Sequence, residues 1–474
     1  MITFILNRAR ISTEMPSGMV TLDFLRQSQR LAGTKEGCRE GDCGACLILL
    51  GEWNGNTMAY QPVNSCLLPL AELHGKHVVT IEGLTTPDLN PIQQAMVDEG
   101  ATQCGYCAPG IVMSLTGFFC NHGQFDEHDA IAALDGNICR CTGYEGIRRA
   151  ARNLCHASFP PTHGFAEKER LQWLVETQIF PQYFLQIPER LQKLPVAENK
   201  RPGEQSSEAI IVAGGTDLWV QKPTELSHAD LMMLSQRKDL QGIRIEQNRC
   251  YIGATTSIED MKDSQLLRKI FPDISNDFAR IASTPVRRRA TLGGNIVNAS
   301  PIGDLIIFFL GLETSLLLGK GQQQRTLALK DLFKGYKQLD KQKNELVEAI
   351  SFPVPYHKTF FNFEKVSKRT HLDIASVNSA MQVKIDENNV IQHVHLSAGG
   401  VAPIPLYLSR TVNYLEGKAL HRDSLREAAS IAQTEISPVS DVRGSANYKS
   451  LLLRQLLHAH FITLFPERFH KRYL

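Results

Sequence analysis

The chain has 474 residues, 43% of them hydrophobic, enough for roughly three domains of about 150 residues, which excludes a disordered chain or a single small domain. Its 51 Lys and Arg balance 49 Asp and Glu, so no basic field draws it to nucleic acid or to an anionic membrane. The longest apolar run, Leu305 to Leu312, falls far short of the roughly 20 residues that span a bilayer, and Asn7, Arg8 and Arg10 break the apolar opening. A cytoplasmic protein with no membrane segment and no signal peptide is therefore expected.

In chain order, apolar Ile2 to Leu6 predicts a strand, Met15 to Gly18 a turn, and Thr21 to Leu31 a helix with Leu22 and Leu25 on one face. A cysteine-rich loop follows. Asn90 to Asn121 and Asp126 to Leu154 carry helical periodicity, with Pro91 near a helix start, and predict a small helical bundle. Between Phe159 and Ser207 the prolines 160, 161, 188, 195 and 202, set among many Gln and Glu, predict a connector. Beyond it, short strands alternate with helices to about Pro355, with Gly-rich turns at Gly214–Gly215 and Gly293–Gly294. Strand-like Ala380 to Ile385 and Val390 to Ala398 then precede a helical tail from Ser445 to Ile462. The expected divisions are residues 1–84, 85–158, a linker over 159–206, 207–355 and 356–474.

Ten of the eleven cysteines lie at or before Cys155. Without an export signal, clustered thiols point to metal rather than to disulfides. Cys38, Cys43 and Cys46 form a C-x4-C-x2-C loop with a distant fourth residue, Cys66, the spacing of a plant-type [2Fe–2S] site. Gly37, Gly41, Gly44 and Ala45 keep that loop bare, so backbone N–H groups can approach anionic sulfur. No His occurs between Met1 and Leu73, which excludes a two-His Rieske arrangement there. A second quartet, Cys104-x2-Cys107 and Cys139-x-Cys141, reads as iron–sulfur or zinc. Cys120 and Cys155 fit neither set and read as small buried hydrophobes. Two Gly-Gly turns, Ala213-Gly214-Gly215-Thr216 after the strand-like Ile210-Ile211-Val212 and Gly293-Gly294-Asn295, could each expose backbone N–H groups to a pyrophosphate, although such pairs are more often plain turns. No G-x-G-x-x-G occurs, so a Rossmann cradle is unsupported.

Three stretches together carry a resemblance: Gly37-Cys38-Arg39-Glu40-Gly41-Asp42-Cys43-Gly44-Ala45-Cys46, Gln103-Cys104-Gly105-Tyr106-Cys107-Ala108-Pro109-Gly110, and Asn137-Ile138-Cys139-Arg140-Cys141-Thr142-Gly143-Tyr144. They resemble the iron–sulfur half of the molybdenum hydroxylases, the xanthine dehydrogenase and aldehyde oxidase family. Ile211 to Leu218 and Thr291-Leu292-Gly293-Gly294-Asn295 resemble its two flavin-binding segments, and Asp441 to Tyr448 its C-terminal flavoprotein signature. The resemblance implies an α+β multidomain chain. Its parts would be a plant-ferredoxin-like β-grasp domain, a four-helix [2Fe–2S] domain, a two-layer FAD-binding domain of the vanillyl-alcohol-oxidase kind and an α+β C-terminal flavoprotein domain.

By the same resemblance the two quartets hold two [2Fe–2S] clusters. FAD is expected against Ile210, Ile211, Val212, Ala213, Gly214, Gly215, Thr216, Asp217, Leu218, Thr291, Gly294, Asn295 and Asp304, with Lys365 near the ring; Asp304 also reads as a helix N-terminal carboxylate. The chain departs from the family at Arg288, where Asn is common, at Ile281, where animal enzymes carry a Phe stacked on the flavin ring, and at Ile307, where Pro is common. The loop Val366 to Ser376, with Lys368, Arg369, His371 and Asp373, matches one that governs access of the nicotinamide in relatives, and reads equally as solvated surface.

The implied function is an electron-transfer subunit. Electrons from molybdopterin on a large partner subunit, approached by Gln103, would pass through the Cys104/Cys107/Cys139/Cys141 cluster and then the Cys38/Cys43/Cys46/Cys66 cluster to FAD and on to NAD⁺ as hypoxanthine or xanthine becomes urate. A dimer of such heterodimers is expected, and no purine-site residue is assigned to this chain. The alternatives are the matching subunit of an aldehyde- or N-heterocycle-oxidising relative, or a zinc or redox-sensing binding protein.

Overall fold

Strands β1 (Ile2–Leu6) and β2 (Ala9–Thr13) form an antiparallel hairpin whose turn passes through Asn7 at φ 51°, a left-handed position that Asn tolerates. With β3 (Leu47–Trp53), β4 (Met58–Asn64) and β5 (His77–Val79) they make a mixed sheet in the order β2-β1-β5-β3-β4, in which β1 and β5 run parallel. This is the expected β-grasp. The helix predicted over Thr21 to Leu31 is shorter: one turn, Thr21–Asp23, opens into a π-helical turn, Phe24–Ser28, whose Phe24 and Leu25 join Phe4, Ile48, Leu50 and Val78 in the core of this computed structural model. Residues 1–157, 167–195 and 209–469 are described.

Four helices follow, Pro91–Asp98, Ala108–Asn121, Glu127–Ala132 and Glu145–His156. Asn90 and Gln93 form a capping box on the first, and Asp126 caps the third. Ile92, Ile111, Leu115, Phe119, Ile147 and Leu154 fill the shared core.

The connector expected over 159–206 requires correction. Its described part is helical, with Glu167–Glu176, a 3-10 turn Gln182–Gln186 and Ile187–Gln192, and it places Trp173, Phe180 and Phe184 in that same core. Pro181 and Pro188 stand at helix starts, where a missing N–H costs nothing, so these prolines do not mark an extended spacer. The parts of the expected connector at 159–166 and 196–206 lie outside the described residues.

Two units emerge from the contacts, Met1–Met233 with Ser283–Arg289, and Leu234–Ala282 with Ala290–Leu474. The domain expected over 207–355 is therefore divided. The physical reason is a core: Val212, Trp219, Leu226 and Leu231 pack with Val20, Leu22, Leu67 and the two cysteines Cys46 and Cys66. Trp219 Nε1 also donates to the Gly18 carbonyl at 3.2 Å. The parallel pair Ile210–Val212 and Leu231–Met233 thus belongs to the cysteine-bearing unit.

The second unit contains an antiparallel five-stranded sheet, Gln323–Ala328, Ser315–Lys320, Leu346–Pro353, Arg249–Gly253 and Ile243–Glu246 in spatial order. Helix Asp304–Leu310 lies in its core, with residues 305–310 all buried. An antiparallel four-stranded sheet, Thr359–Val366, Val377–Ile385, Ile391–Gly399 and Leu406–Tyr407, is covered by helices that include Ala446–Leu464.

Candidate functional site

The first cysteine loop is wound through left-handed positions at Arg39 (φ 58°), Gly41 (φ 82°) and Gly44 (φ 68°). Arg39 can hold this conformation because its guanidinium is tied to Asp23 at 3.2 Å and to Glu36 at 2.7 Å. Gly44 has no alternative, since a Cβ would stand 2.3 Å from the Gly136 carbonyl oxygen. Backbone N–H groups approach sulfur as the sequence predicts: Cys38 N donates to Cys43 Sγ at 3.4 Å and Glu40 N to Cys38 Sγ at 3.3 Å. The Cys43 thiol and, against the cost of burial, the N–H groups of Glu40, Cys43 and Asp42 hold Cys38 down at about 5. Buried Cys46 is lowered by its hydrogen bond with Cys66, and Asn64 Nδ2 stands 3.9 Å from its sulfur.

The second quartet also stands in pairs. The Cys104 and Cys141 sulfurs are 3.5 Å apart and exposed, and Cys107 hydrogen-bonds with Cys139. Burial opposes the Cys139 thiolate, yet Thr142, 3.2 Å away, and nearby backbone N–H groups leave its pKa lowered. Tyr144, at φ 69°, accepts the Cys139 N–H on its hydroxyl at 3.1 Å.

These donor sets fit the clusters. Among the described residues no three His, Cys, Asp or Glu side chains converge as one metal ion requires. The thiols stand two by two, as a two-iron cluster takes them. The two loops also touch: Ile138 N donates to the Cys43 carbonyl at 3.0 Å, and a Cβ on Gly110 would come within 2.1 Å of the Gly44 carbonyl oxygen. Cys120 is buried, with its thiol pushed up by burial, and Cys155 is half-buried and pushed up to about 11 for the same reason.

The expected flavin residues fall in both units, Ile210–Leu218 in the first and Thr291, Gly294, Asn295, Asp304 and Lys365 in the second. Gly215 is left-handed (φ 74°), its carbonyl accepts Trp219 N at 3.0 Å, and the Gly214 carbonyl accepts Arg289 Nη2 at 3.1 Å. Arg289 was not singled out by the sequence.

The second glycine pair behaves differently from the expectation. Gly293 N donates to the Ala254 carbonyl at 2.8 Å, Gly294 N to Thr291 Oγ1 at 3.2 Å and Asn295 N to the Thr291 carbonyl at 2.9 Å. The last two N–H groups are consumed because Thr291 caps the helix Leu292–Asn298, and the first because the chain passes Ala254. What this segment offers is a side chain: Asn295 Oδ1 is buried with no hydrogen-bond partner, an acceptor that suits a bound ligand's donor.

Asp304 and Lys365 come together. Lys365 Nζ donates to Asp304 Oδ2 and to the Arg280 carbonyl, both at 2.7 Å, and Asn378 Nδ2 donates to Asp304 Oδ1 at 2.6 Å. The Asp304 carboxylate thus serves side chains rather than the helix start alone. Asn378, fully buried, has no local sequence signal. Ile281 is buried in the core, Arg287 pairs with Asp135 at 3.0 Å, and the charges of the 366–376 loop bind largely within it, Arg369 N to Asp373 Oδ2 at 2.8 Å. Lys368 reaches out of the loop to the Val442 carbonyl at 2.8 Å. Gln103 is exposed beside Cys104.

Four known domain families match successive parts of the chain. Residues 4–70 match the 2Fe-2S iron-sulfur cluster binding domain and 80–152 the [2Fe-2S] binding domain. Residues 186–355 match the FAD binding domain in molybdopterin dehydrogenase, and 363–464 the CO dehydrogenase flavoprotein C-terminal domain. The chain is 27% identical to the xanthine dehydrogenase of Emericella nidulans over 88% of its own length and 35% of that protein's. It is also 27% identical to aldehyde oxidase 1 of Rattus norvegicus, over 94% and 38%. It therefore spans little more than a third of the length of these relatives. Among solved structures, carbon monoxide dehydrogenase from Hydrogenophaga pseudoflava superposes with a TM-score of 0.52 at 26% identity, covering 57% of this chain and 93% of that one. Quinoline 2-oxidoreductase from Pseudomonas putida 86, with a TM-score of 0.50 at 21% identity over 56% and 92%, shares the fold. No described helix is long and apolar enough to cross a membrane. With two [2Fe–2S] domains, an FAD-binding domain and a flavoprotein C-terminal domain in one α+β chain, the protein belongs to the molybdenum hydroxylase family, of which it represents the iron–sulfur and flavin portion.

Proposed function

We propose that this chain is the electron-transfer subunit of a cytoplasmic xanthine dehydrogenase, working with a molybdopterin-bearing large subunit in a dimer of heterodimers and delivering electrons to NAD⁺. The observation that carries the electron-transfer role is the hydrogen bond from Ile138 N to the Cys43 carbonyl, which joins the two cysteine loops directly; similarity to xanthine dehydrogenase supports the substrate. When bound, two one-electron clusters and a two-electron flavin would turn two single electrons and a proton into one hydride for NAD⁺.

The chain's own residues hold and shield these groups. Cys38, Cys43, Cys46 and Cys66 ligate one cluster, and Cys104, Cys107, Cys139 and Cys141 the other, with backbone N–H groups at the sulfurs of the first. Ile210 to Leu218, Thr291, Gly294, Asn295, Asp304 and Lys365 hold FAD. Cys104 and Cys141, exposed beside Gln103, face the partner, so the second quartet is the entry point. Oxidation of hypoxanthine or xanthine belongs to the partner.

Expressed alone, the chain is expected to pass electrons from NADH to an artificial dye without oxidising xanthine, and to support xanthine-dependent NAD⁺ reduction once the partner is added. In that complex Cys104→Ser blocks xanthine-dependent reduction but spares dye reduction by NADH, which enters at the flavin. Purine oxidation by the isolated chain refutes the division of labour. Because aldehyde oxidase 1 is as similar as xanthine dehydrogenase, an aldehyde or N-heterocycle substrate is the second reading; turnover of such a substrate but not of xanthine by the complex would establish it.

A further inference from the structure

We propose that Arg289 is a residue of the dinucleotide site, acting on the FAD pyrophosphate through the Gly214–Gly215 peptide; this rests on the reading of Ile210–Leu218 as a flavin segment. Arg289 ends the short segment Ser283–Arg289 that belongs to the cysteine-bearing unit. Its Nη2 donates to the Gly214 carbonyl at 3.1 Å, and its Nη1 lies 3.7 Å from Glu72 Oε2. The pair is well shielded, with side-chain exposures of 12% for Arg289 and 3% for Glu72.

Two consequences follow. In a trans peptide the carbonyl and the next N–H point in opposite directions, and there is no cis peptide bond among the described residues. Holding the Gly214 oxygen on the Arg289 side therefore directs the Gly215 N–H to the other side of the peptide. Gly215, left-handed at φ 74°, continues the loop from there. Secondly, Arg289 Nε is buried with no hydrogen-bond partner. The guanidinium, shielded beside the Glu72 carboxylate, is fixed on the Gly214 side of the peptide, and the anion is met by the Gly215 N–H on the other. A pyrophosphate is the anion that the loop's chemistry calls for. Trp219 anchors the same turn through the Gly18 carbonyl, and Arg289 stands beside Glu72, so the loop is tied to the ferredoxin-like domain at two points.

The test uses the full chain, deflavinated, with FAD and ADP as probes; ADP carries the pyrophosphate without the flavin ring. Arg289→Met is expected to weaken both by about tenfold, the loss of one hydrogen bond to a charged group. Arg289→Lys, which keeps the cation, recovers part of that loss, to about threefold below wild type. A role in packing alone predicts no such rescue and no parallel loss for ADP. Iron content and the visible cluster spectrum check that each variant has folded. If Arg289→Met loses its clusters, Arg289→Lys decides, and wild-type affinity for both probes in that variant overturns the proposal. Wild-type affinity in a folded Arg289→Met overturns it too, while leaving the flavin reading intact. Failure of the unsubstituted chain to bind either probe removes the flavin reading, and this proposal with it.

Discussion

Asp304 and Lys365, separated by 61 positions in sequence, form a shielded ion pair at 2.7 Å, with side-chain exposures of 10% and 2%. Asn378 holds the other carboxylate oxygen and the Arg280 carbonyl takes a second ammonium proton, so the pair is fixed from both ends. Removing one member leaves the other buried without its counter-charge, which costs about 3–5 kcal/mol. Lys365→Met is therefore expected to lower the melting temperature and FAD content together. The double variant Asp304→Asn/Lys365→Met should melt above Lys365→Met alone. Equal melting temperatures would show that the pair is not coupled.

The pairing of thiols predicts independent clusters. Cys66→Ser removes a ligand from the first quartet and Cys139→Ser one from the second, so each variant should fall from about four irons per chain to about two. Electron paramagnetic resonance should lose one signal, and a different one, in each. Both signals surviving either substitution would break the quartet assignment.

Gly215→Val tests the flavin loop. A Cβ there would stand 2.5 Å from Trp219 Cζ3, and a β-branched residue at φ 74° adds strain of about 1–3 kcal/mol. FAD content should fall sharply while the Cys104/Cys107/Cys139/Cys141 signal stays. Because Trp219 shares a core with Cys46 and Cys66, the first cluster's signal is expected to shift in shape. Full FAD content would move the flavin away from this loop.

Two buried histidines set the acid limit of stability. Burial lowers both His77 and His460 to about 3, against an ordinary value near 6.5. His460 Nδ1 accepts from Asn362 Nδ2 at 2.9 Å and its Nε2–H donates to Ser379 Oγ at 3.0 Å, so the ring is held neutral. Below pH 6.5 the unfolded chain takes up a proton at each ring and the folded chain does not. Their contribution is complete above 6.5 and is lost as the pH falls toward 3, by up to about 1.4 kcal/mol per pH unit for each ring. His460→Gln should flatten the fall in melting temperature between pH 7 and pH 5. A slope parallel to wild type would count against the neutral ring.

The sequence by itself determined the [2Fe–2S] character of the first cysteine loop, because ligand spacing and the bare glycines around Cys38–Cys46 are local properties of a short loop. It also determined most regular elements: Ile2–Leu6, Asp304–Leu310 and Ala446–Leu464 follow from apolar runs and period alone. The tertiary structure decided what depends on distant partners. That Val212 and Trp219 share a core with Cys46 and Cys66 could not be read from segments lying so far apart. Nor could the use of the 293–295 N–H groups by Ala254 and Thr291, since a Gly-Gly pair looks the same whether its donors are spent or open. Asn378 and Arg289 carry no motif at all; they meet Asp304 and Gly214 across 74 and 75 positions, and only folding brings a side chain to such a partner.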